Sequence, residues 1–409
     1  MKIFNQKLVI LSPLITFVIV FIFSLTLFPT VQPQPKNLPI AIVNEDQGVD
    51  LPNQPNVNMG QKIVDMIQKT SDTTKDDDPA VKWVKVESIE EVKNGLDQQM
   101  YYAALVIPKD FSAKQASLQT PTPSSPEVQI FINQGMNMAA ATMAGQILNG
   151  LVDNINNNVR TQLLEGLKAQ GAKLSVEQVS SLITPISKVV TNVNEVGKNS
   201  ANGNSPVSLF QPLWIAVLAS AAIIFISVSK LPTSTRKENL NVKLGQILIG
   251  GIIALVVGFG LTWLASGMVG LNIPQFTDTA LFLSITSYSF FLMILAVLSI
   301  LGIRGIIVFA LMLFFGAPIL TFAPEMLSPF YRDWIYSWLP MRFMVEGLRE
   351  LFFFGKGLSW GTPVSVLVWI GVVSIIVILA SALKPKTRKE EKPELKIEGS
   401  MEHGNEYQN

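Results

Sequence analysis

Cysteine is absent from the chain, and histidine occurs once, at His403. Without cysteine there are no disulfides, thiol nucleophiles, iron–sulfur clusters or cysteine zinc sites. His403 lies in a polar tail, where a solvated side chain is the expected state. Charge is scarce as well. Charged residues make up 15% of the 409 positions, against about a quarter in soluble domains, while 49% are hydrophobic. The net charge of +1 offers no basic surplus for nucleic acid. These shortages point away from an enzyme: no catalytic residue, metal ligand or cofactor is expected.

What the chain has instead is long apolar runs. A helix crossing a bilayer needs about 20 apolar residues. Six stretches qualify: Leu8–Phe28, Val207–Ser229, Leu244–Met268, Ala280–Leu301, Gly305–Ala323 and Pro363–Leu383. The first is longer than the apolar core of a signal peptide, and Pro29-Thr30-Val31-Gln32-Pro33 makes a poor cleavage site, so it reads as a retained anchor. Lys2, Lys7, Lys230, Arg236, Lys237, Lys243, Arg304, Lys384, Lys386, Arg388 and Lys389 fall on one side of the spans. On the other, Gly270–Thr279 has no Lys or Arg, and Arg332, Arg342, Arg349 and Lys356 of Pro324–Thr362 are offset by Glu325, Asp333, Glu346 and Glu350. This asymmetry predicts a multi-pass plasma-membrane protein with both termini cytoplasmic and residues 29–206 outside.

The expected fold is therefore mainly helical, with six transmembrane helices in a one-plus-five arrangement and an extracytoplasmic α/β domain between the first two. Residues 1–28 form a cytoplasmic stub and first span, and 29–136 the α/β domain. A helical stalk follows over 137–206, the membrane part over 207–383 and a cytoplasmic tail over 384–409.

In the α/β domain, strands are predicted at Leu38–Val43, Val81–Val86, Tyr101–Ile107 and Val128–Ile132, from apolar or alternating runs bounded by turn residues. Ile63, Met66 and Ile67 share one face of a short helix. Ser88-Ile89-Glu90-Glu91 opens another as a capping box. The β-α-β-α-β order implies a mixed sheet. For the stalk, Ile147, Leu151, Ile155, Val159, Leu163 and Leu167 recur every four residues. Val176, Val179, Ile183, Ile186, Val190 and Val193 recur at three and four, with Pro185 as a kink. Two long helices are expected, packed together or on a second chain. Asn199–Ser205 reads as a flexible lead into the second span.

Motifs with catalytic potential read as structural. Asp76-Asp77-Asp78 lacks the spaced glycine and later bidentate glutamate of a calcium loop and reads as a solvated acidic loop. Asn44-Glu45-Asp46 reads as a turn. Gly355-Lys356-Gly357 fails as a phosphate loop, because position 350 is Glu350 and no Ser or Thr follows the lysine. The glycines of the third stretch (Gly245, Gly250, Gly251, Gly258 and Gly260) suit close helix packing, though glycine is also common in membrane helices. The Pro324–Trp360 segment is dense in aromatics, including Trp334, Tyr336, Trp338 and Trp360, as at a membrane interface. Arg342 with Glu346, and Glu346 with Arg349, stand at helical spacing for opposite charges. Short helices in the outer leaflet are expected here, with Trp334, Trp338, Arg342, Glu346 and Arg349 as the interface residues.

Ile-Ala-Ile-Val-Asn-Glu-Asp-Gln-Gly (Ile40–Gly48) and Ala-Leu-Val-Ile-Pro-Lys-Asp-Phe-Ser (Ala104–Ser112), after one span, resemble ABC-2-type permeases, most closely the YhgE/phage-infection-protein (Pip) branch. Ser337–Phe343 and Val345–Arg349 resemble the stretch before that family's last span. The resemblance implies a homo- or heterodimeric permease in the lipid bilayer. It would export lipophilic or amphipathic compounds (drug, lipid or polymer), driven by a separate cytoplasmic ATP-binding subunit. The family's coupling loop corresponds to Lys230–Lys243, with Arg236, Lys237 and Glu238 as the implied contacts. The same branch implies an alternative: a cell-surface receptor or assembly protein without transport activity.

Overall fold

The structure is a computed structural model that describes residues 7–24, 35–51, 54–73, 79–120, 122–169, 171, 175–232 and 235–383. The acidic run Asp76–Asp78, the Pro29–Pro33 stretch and the tail with His403 lie outside these residues.

After α1 (Lys7–Ser24), the chain builds an α/β domain. Its strands are β1 (Leu38–Asn44), β2 (Val49–Leu51), β3 (Gln54–Val57), β4 (Val81–Val86), β5 (Ala103–Ile107), β6 (Glu127–Asn133) and β7 (Ser187–Val193). Its helices are α2 (Met59–Thr73), α3 (Ile89–Asp97), α4 (Phe111–Ser117), α5 (Met138–Ala169) and α6 (Val176–Ile183). The five-stranded sheet runs β4-β1-β5-β6-β7, and β2 with β3 forms a separate hairpin. β1 is parallel to both β4 and β5, β6 is antiparallel to β5, and β7 is parallel to β6. The sheet is mixed, as expected.

β1 and β5 are covered on both faces, which explains their nearly unbroken apolar sequence. Alternation sends Ile40, Ile42, Leu105 and Ile107 to one core, and Ala41, Val43, Ala104 and Val106 to the other. α2 buries Ile63, Val64 and Ile67 in the first core, while Met66 is exposed. The second packs on α3 through Val92 and Leu96. Ser88 Oγ caps α3 by accepting from the Glu91 N–H, but the Glu91 carboxylate turns to the Glu87 N–H, so the capping box is half formed.

The stalk differs from the expected helix pair. α5 is a single helix of 32 residues. The second helix stops at Ile183, and residues 187–193 form β7. Pro185 ends the helix rather than kinking it, because a residue before proline is pushed out of the α region; Thr184 has φ −133° and ψ 80°. Asn156 of α5 fixes the changeover. Its side chain donates to the Ile186 carbonyl (2.9 Å) and accepts from the Ile186 N–H (2.7 Å). The Ser175/Gln178 capping box is complete.

The lead from β7 into the membrane part is also not a loose tether. Asn194, Gly197, Asn199, Ala201, Asn202 and Gly203 all have φ between 49° and 79°. Asparagine and glycine tolerate this left-handed region; alanine does so at a cost. Ser200 is buried, accepts from the Gly203 N–H (3.2 Å) and donates to the Gly197 carbonyl (3.1 Å). The Asn272 N–H bonds the Asn199 carbonyl at 3.0 Å.

Among the described residues, four helical stretches are long and apolar enough to cross a membrane: Ser205–Ser229, Arg236–Met268, Phe276–Leu320 and Thr362–Ser381. The third has 45 residues, or about 67 Å of helix, twice what a bilayer core needs. It is broken at Gly302, whose combination of φ +68° and ψ −165° only glycine adopts readily, and at the 3-10 turn Gly302–Gly305. The bundle therefore contains α7 (Phe210–Ser229), α8 (Arg236–Trp263), α9 (Phe276–Leu301), α10 (Ile306–Leu320) and α12 (Thr362–Ser381). α11 (Pro340–Phe353) lies between the last two.

α9 is the central helix and packs on α7, α8 and α12. α8 turns Gln246, Gly250, Ala254, Gly258 and Thr262, one residue per turn, into the bundle. A Cβ at Gly250 would strike the Phe291 ring, and one at Gly258 would strike Ser284 Oγ and the Ala280 carbonyl. Those two glycines allow backbone approach, whereas Gly245 and Gly260 face open space.

Candidate functional site

The membrane bundle has two chemically different ends. At one end, the residue after α7, the first turn of α8 and the turn after α9 carry Lys230, Arg236, Lys237 and Arg304, and the Asn239 amide there bonds the Ala382 carbonyl at 2.9 Å. The other end carries the α/β domain and the aromatic segment.

At the basic end, Thr235 is the N-cap of α8. Its hydroxyl accepts from the Glu238 N–H (3.2 Å), while Glu238 Oε2 accepts from the Thr235 N–H (3.3 Å). This complete capping box fixes where α8 begins. It also gives Glu238 a structural role, whatever else it contacts. Arg236 and Lys237 sit exposed on the same first turn. A helix N-terminus carries partial positive charge and favours acidic side chains, so two cations there oppose helix stability. Much of the expected coupling loop is helix: only about six residues separate α7 from α8, and Lys243 bonds Ser299 Oγ at 2.9 Å.

The aromatic segment at the opposite end is irregular. It passes through a 3-10 turn at Pro324–Met326, a π turn at Tyr331–Ile335 and a second 3-10 turn at Tyr336–Trp338 before α11 begins at Pro340. Trp334 and Trp338 are 73% and 58% exposed, and the Trp338 indole N–H donates to the Trp334 carbonyl. An indole with its N–H satisfied inside the protein presents an apolar face to its surroundings.

α11 carries the charged residues. The Arg342 guanidinium lies over the Phe343 ring (4.5 Å) and the Tyr336 ring (5.3 Å), and its Nε is 3.9 Å from Glu346 Oε1. The Tyr336 hydroxyl donates to the same carboxylate at 3.4 Å. Burial pushes the Glu346 carboxyl above its ordinary value, and Arg342 and Arg349 partly oppose this. Arg349 is buried and acts on Glu346 through its charge. Sequence spacing thus brings Arg342, Glu346 and Arg349 together, whereas Trp334 and Trp338 stand apart on the surface.

Sequence reasoning missed a second set of residues, those joining this segment to the α/β domain. The Tyr102 hydroxyl donates to Glu325 Oε2 at 2.8 Å across 223 positions of sequence. The Lys36 N–H donates to the Glu325 carbonyl at 2.8 Å, and the Asn137 amide to the Thr321 carbonyl at 3.0 Å. Ala323 and Met326 are buried in the same core as Leu38, Tyr102, Ile130 and Ala140. No local motif marks such contacts. The turn at Asn44–Gly48 is structural, as read: the Asp46 carboxylate accepts from the N–H groups of Gly48 (3.2 Å), Gly60 (3.0 Å) and Ser112 (3.0 Å), and from the Ser112 hydroxyl. Among the described residues, no group of three His, Asp or Glu side chains could hold a metal ion.

Residues 7–383 match the family model described as "ABC-2 family transporter protein". No curated protein matches the chain in sequence. Among solved structures, a domain of a putative ABC type-2 transporter from Thermotoga maritima MSB8 is similar at 18% identity, with a TM-score of 0.26. That match covers 38% of this chain and 84% of that one. The family match spans the α/β domain and every apolar helix of the bundle, and on that ground the chain belongs to the ABC-2 family of membrane transporter proteins.

Proposed function

We propose that the chain is the permease of an exporter in the YhgE/Pip branch, moving lipophilic or amphipathic compounds outward on the power of a separate ATPase. Permeases of this family usually work with a separate ATP-binding subunit. The observation that carries this reading is the exposed Arg236–Lys237 pair on the first turn of α8. It is held rigidly by the Thr235/Glu238 capping box, at the bundle end away from the α/β domain. Two cations at a helix N-terminus oppose the helix dipole, and they suit an acidic partner surface. In this reading α1 is a sixth span and the basic end is cytoplasmic, in line with the positive-inside rule. Closure of the ATPase would press on α8 and rock the bundle of a dimer.

The test is affinity purification from native membranes. An ATPase should be recovered with the wild-type chain and lost with Arg236→Glu/Lys237→Glu, and a deletion strain should become more susceptible to lipophilic toxins. Recovery of no ATPase together with an unchanged susceptibility profile would sink the proposal. The receptor reading draws on a different observation: α6 exposes Val176, Val179 and Ile183 along one stripe. It gains if Val179→Asp/Ile183→Asp abolishes phage adsorption and leaves susceptibility unchanged.

A further inference from the structure

The segment between α10 and α12 is held at both ends by the α/β domain. At the near end Glu325 is gripped twice, by the Tyr102 hydroxyl on its carboxylate and by the Lys36 N–H on its carbonyl. Ala323 and Met326, on either side, are 0% and 4% exposed and complete the core under β1 and β5. At the far end, Gly135 in the turn after β6 lies against α11. A Cβ there would stand 2.8 Å from Phe353 Cβ and 3.0 Å from the Phe354 ring. Between these points Phe330, Trp334 and Trp338 face outward, each more than half exposed, while Leu327, Tyr331, Tyr336 and Leu339 are buried against the bundle.

The α/β domain is therefore not a self-contained unit inserted between two spans. Part of its core comes from residues some 200 positions downstream. Moving the 321–327 loop would open this shared core beside Tyr102, and moving the domain would strip Ala323 and Met326 of their apolar cover. Both cost free energy roughly in proportion to the apolar area exposed.

We propose that the α/β domain is a clasp on the 321–354 segment, engaged through the Tyr102–Glu325 pair, and that domain and segment change position together. The hydroxyl–carboxylate pair, with the Lys36 and Asn137 bonds to main-chain carbonyls beside it, defines a single docked position, because any slip leaves a carboxylate facing a core without its donor. Tyr102 suits this role. Burial, and then the Glu325 carboxylate, push its hydroxyl above the usual tyrosine range, so it stays a donor.

The test is hydrogen–deuterium exchange on the full chain in lipid nanodiscs, comparing wild type with Tyr102→Phe and, separately, Met326→Ala. Either variant should raise exchange at least threefold both in 324–339 and at the start of β1, with α9 unchanged. Exchange that rises only around the substituted residue, or equally in α9, overturns the clasp. A second measurement uses the absence of cysteine. Spin labels on Met100→Cys and Ser328→Cys, both exposed positions, should give one narrow distance that broadens when Tyr102→Phe is added. A distance distribution indifferent to that substitution would likewise overturn it.

Discussion

Trp214 of α7 donates its indole N–H to the main-chain oxygen of Phe309 in α10, 3.1 Å away. The ring is fully buried and meets Phe290 of α9 edge-on at 5.1 Å, so one side chain joins three membrane helices. Trp214→Ala should cost about 3–5 kcal/mol, as large aromatic deletions in cores do. Trp214→Phe retains much of the packing and loses the bond. Thermal unfolding in detergent should rank wild type above Phe and Phe well above Ala; an Ala variant as stable as Phe would contradict this.

The seam between α8 and α9 predicts a contrast between two glycines. Gly258→Ala places a methyl group against Ser284 Oγ and the Ala280 carbonyl, both on a packed helix, and should destabilise by about 1–3 kcal/mol. Gly260→Ala meets nothing within 4 Å and should be neutral or slightly stabilising, since alanine is the better helix former. Fluorescence-detected size exclusion after heating would separate the two.

Asp46 predicts a local effect. Its carboxylate accepts four hydrogen bonds that tie the β1–β2 turn to the starts of α2 and α4. Asp46→Asn points an amide donor at those donors and should cost roughly 2 kcal/mol or more. Exchange should accelerate in β1, α2 and α4 and leave α7–α10 unaffected.

Glu346 predicts a pH dependence. Its folded carboxyl binds a proton more tightly than an unfolded one, chiefly through burial. The sign follows from linkage: this contribution to stability is fully present below the ordinary value of 4.5 and is lost as pH rises through the raised folded value. Glu346→Gln removes the loss. The melting temperature of the variant relative to wild type should therefore climb as pH rises from about 4.5 towards neutrality. A difference that is flat with pH would count against it.

Arg236 and Lys237 predict opposite changes in stability and partnership. Acidic replacements suit the first turn of a helix, so Arg236→Glu/Lys237→Glu should leave the melting temperature unchanged or raised, while capture of an ATPase fails. A fall in melting temperature would instead mean that the cations stabilise this chain.

How far the architecture could be read ahead of the structure depended on how local each determinant was. Val81–Val86 matches β4 to the residue, because alternation and turn residues are local signals. The helix expected over 176–193 failed because Ile186, Val190 and Val193 fit a spacing of three and four while their β-branched neighbours Val189 and Thr191 fit a strand. Pro185 and the Asn156 side chain decided between them. Arg342 and Glu346 were legible because they share one helix. Tyr102 and Glu325 were not, since only the folded chain brings positions 223 apart into contact.

The run from Asn194 to Gly203 has a mechanical meaning. Its left-handed residues, its own hydrogen bonds and its attachment to Asn272 leave little slack between the last strand of the sheet and α7. Strand and span are joined as a shaft is joined to a gear, so turning α7 about its axis would turn β7, and the sheet with it. A ligand that braced the sheet would then resist rotation of α7.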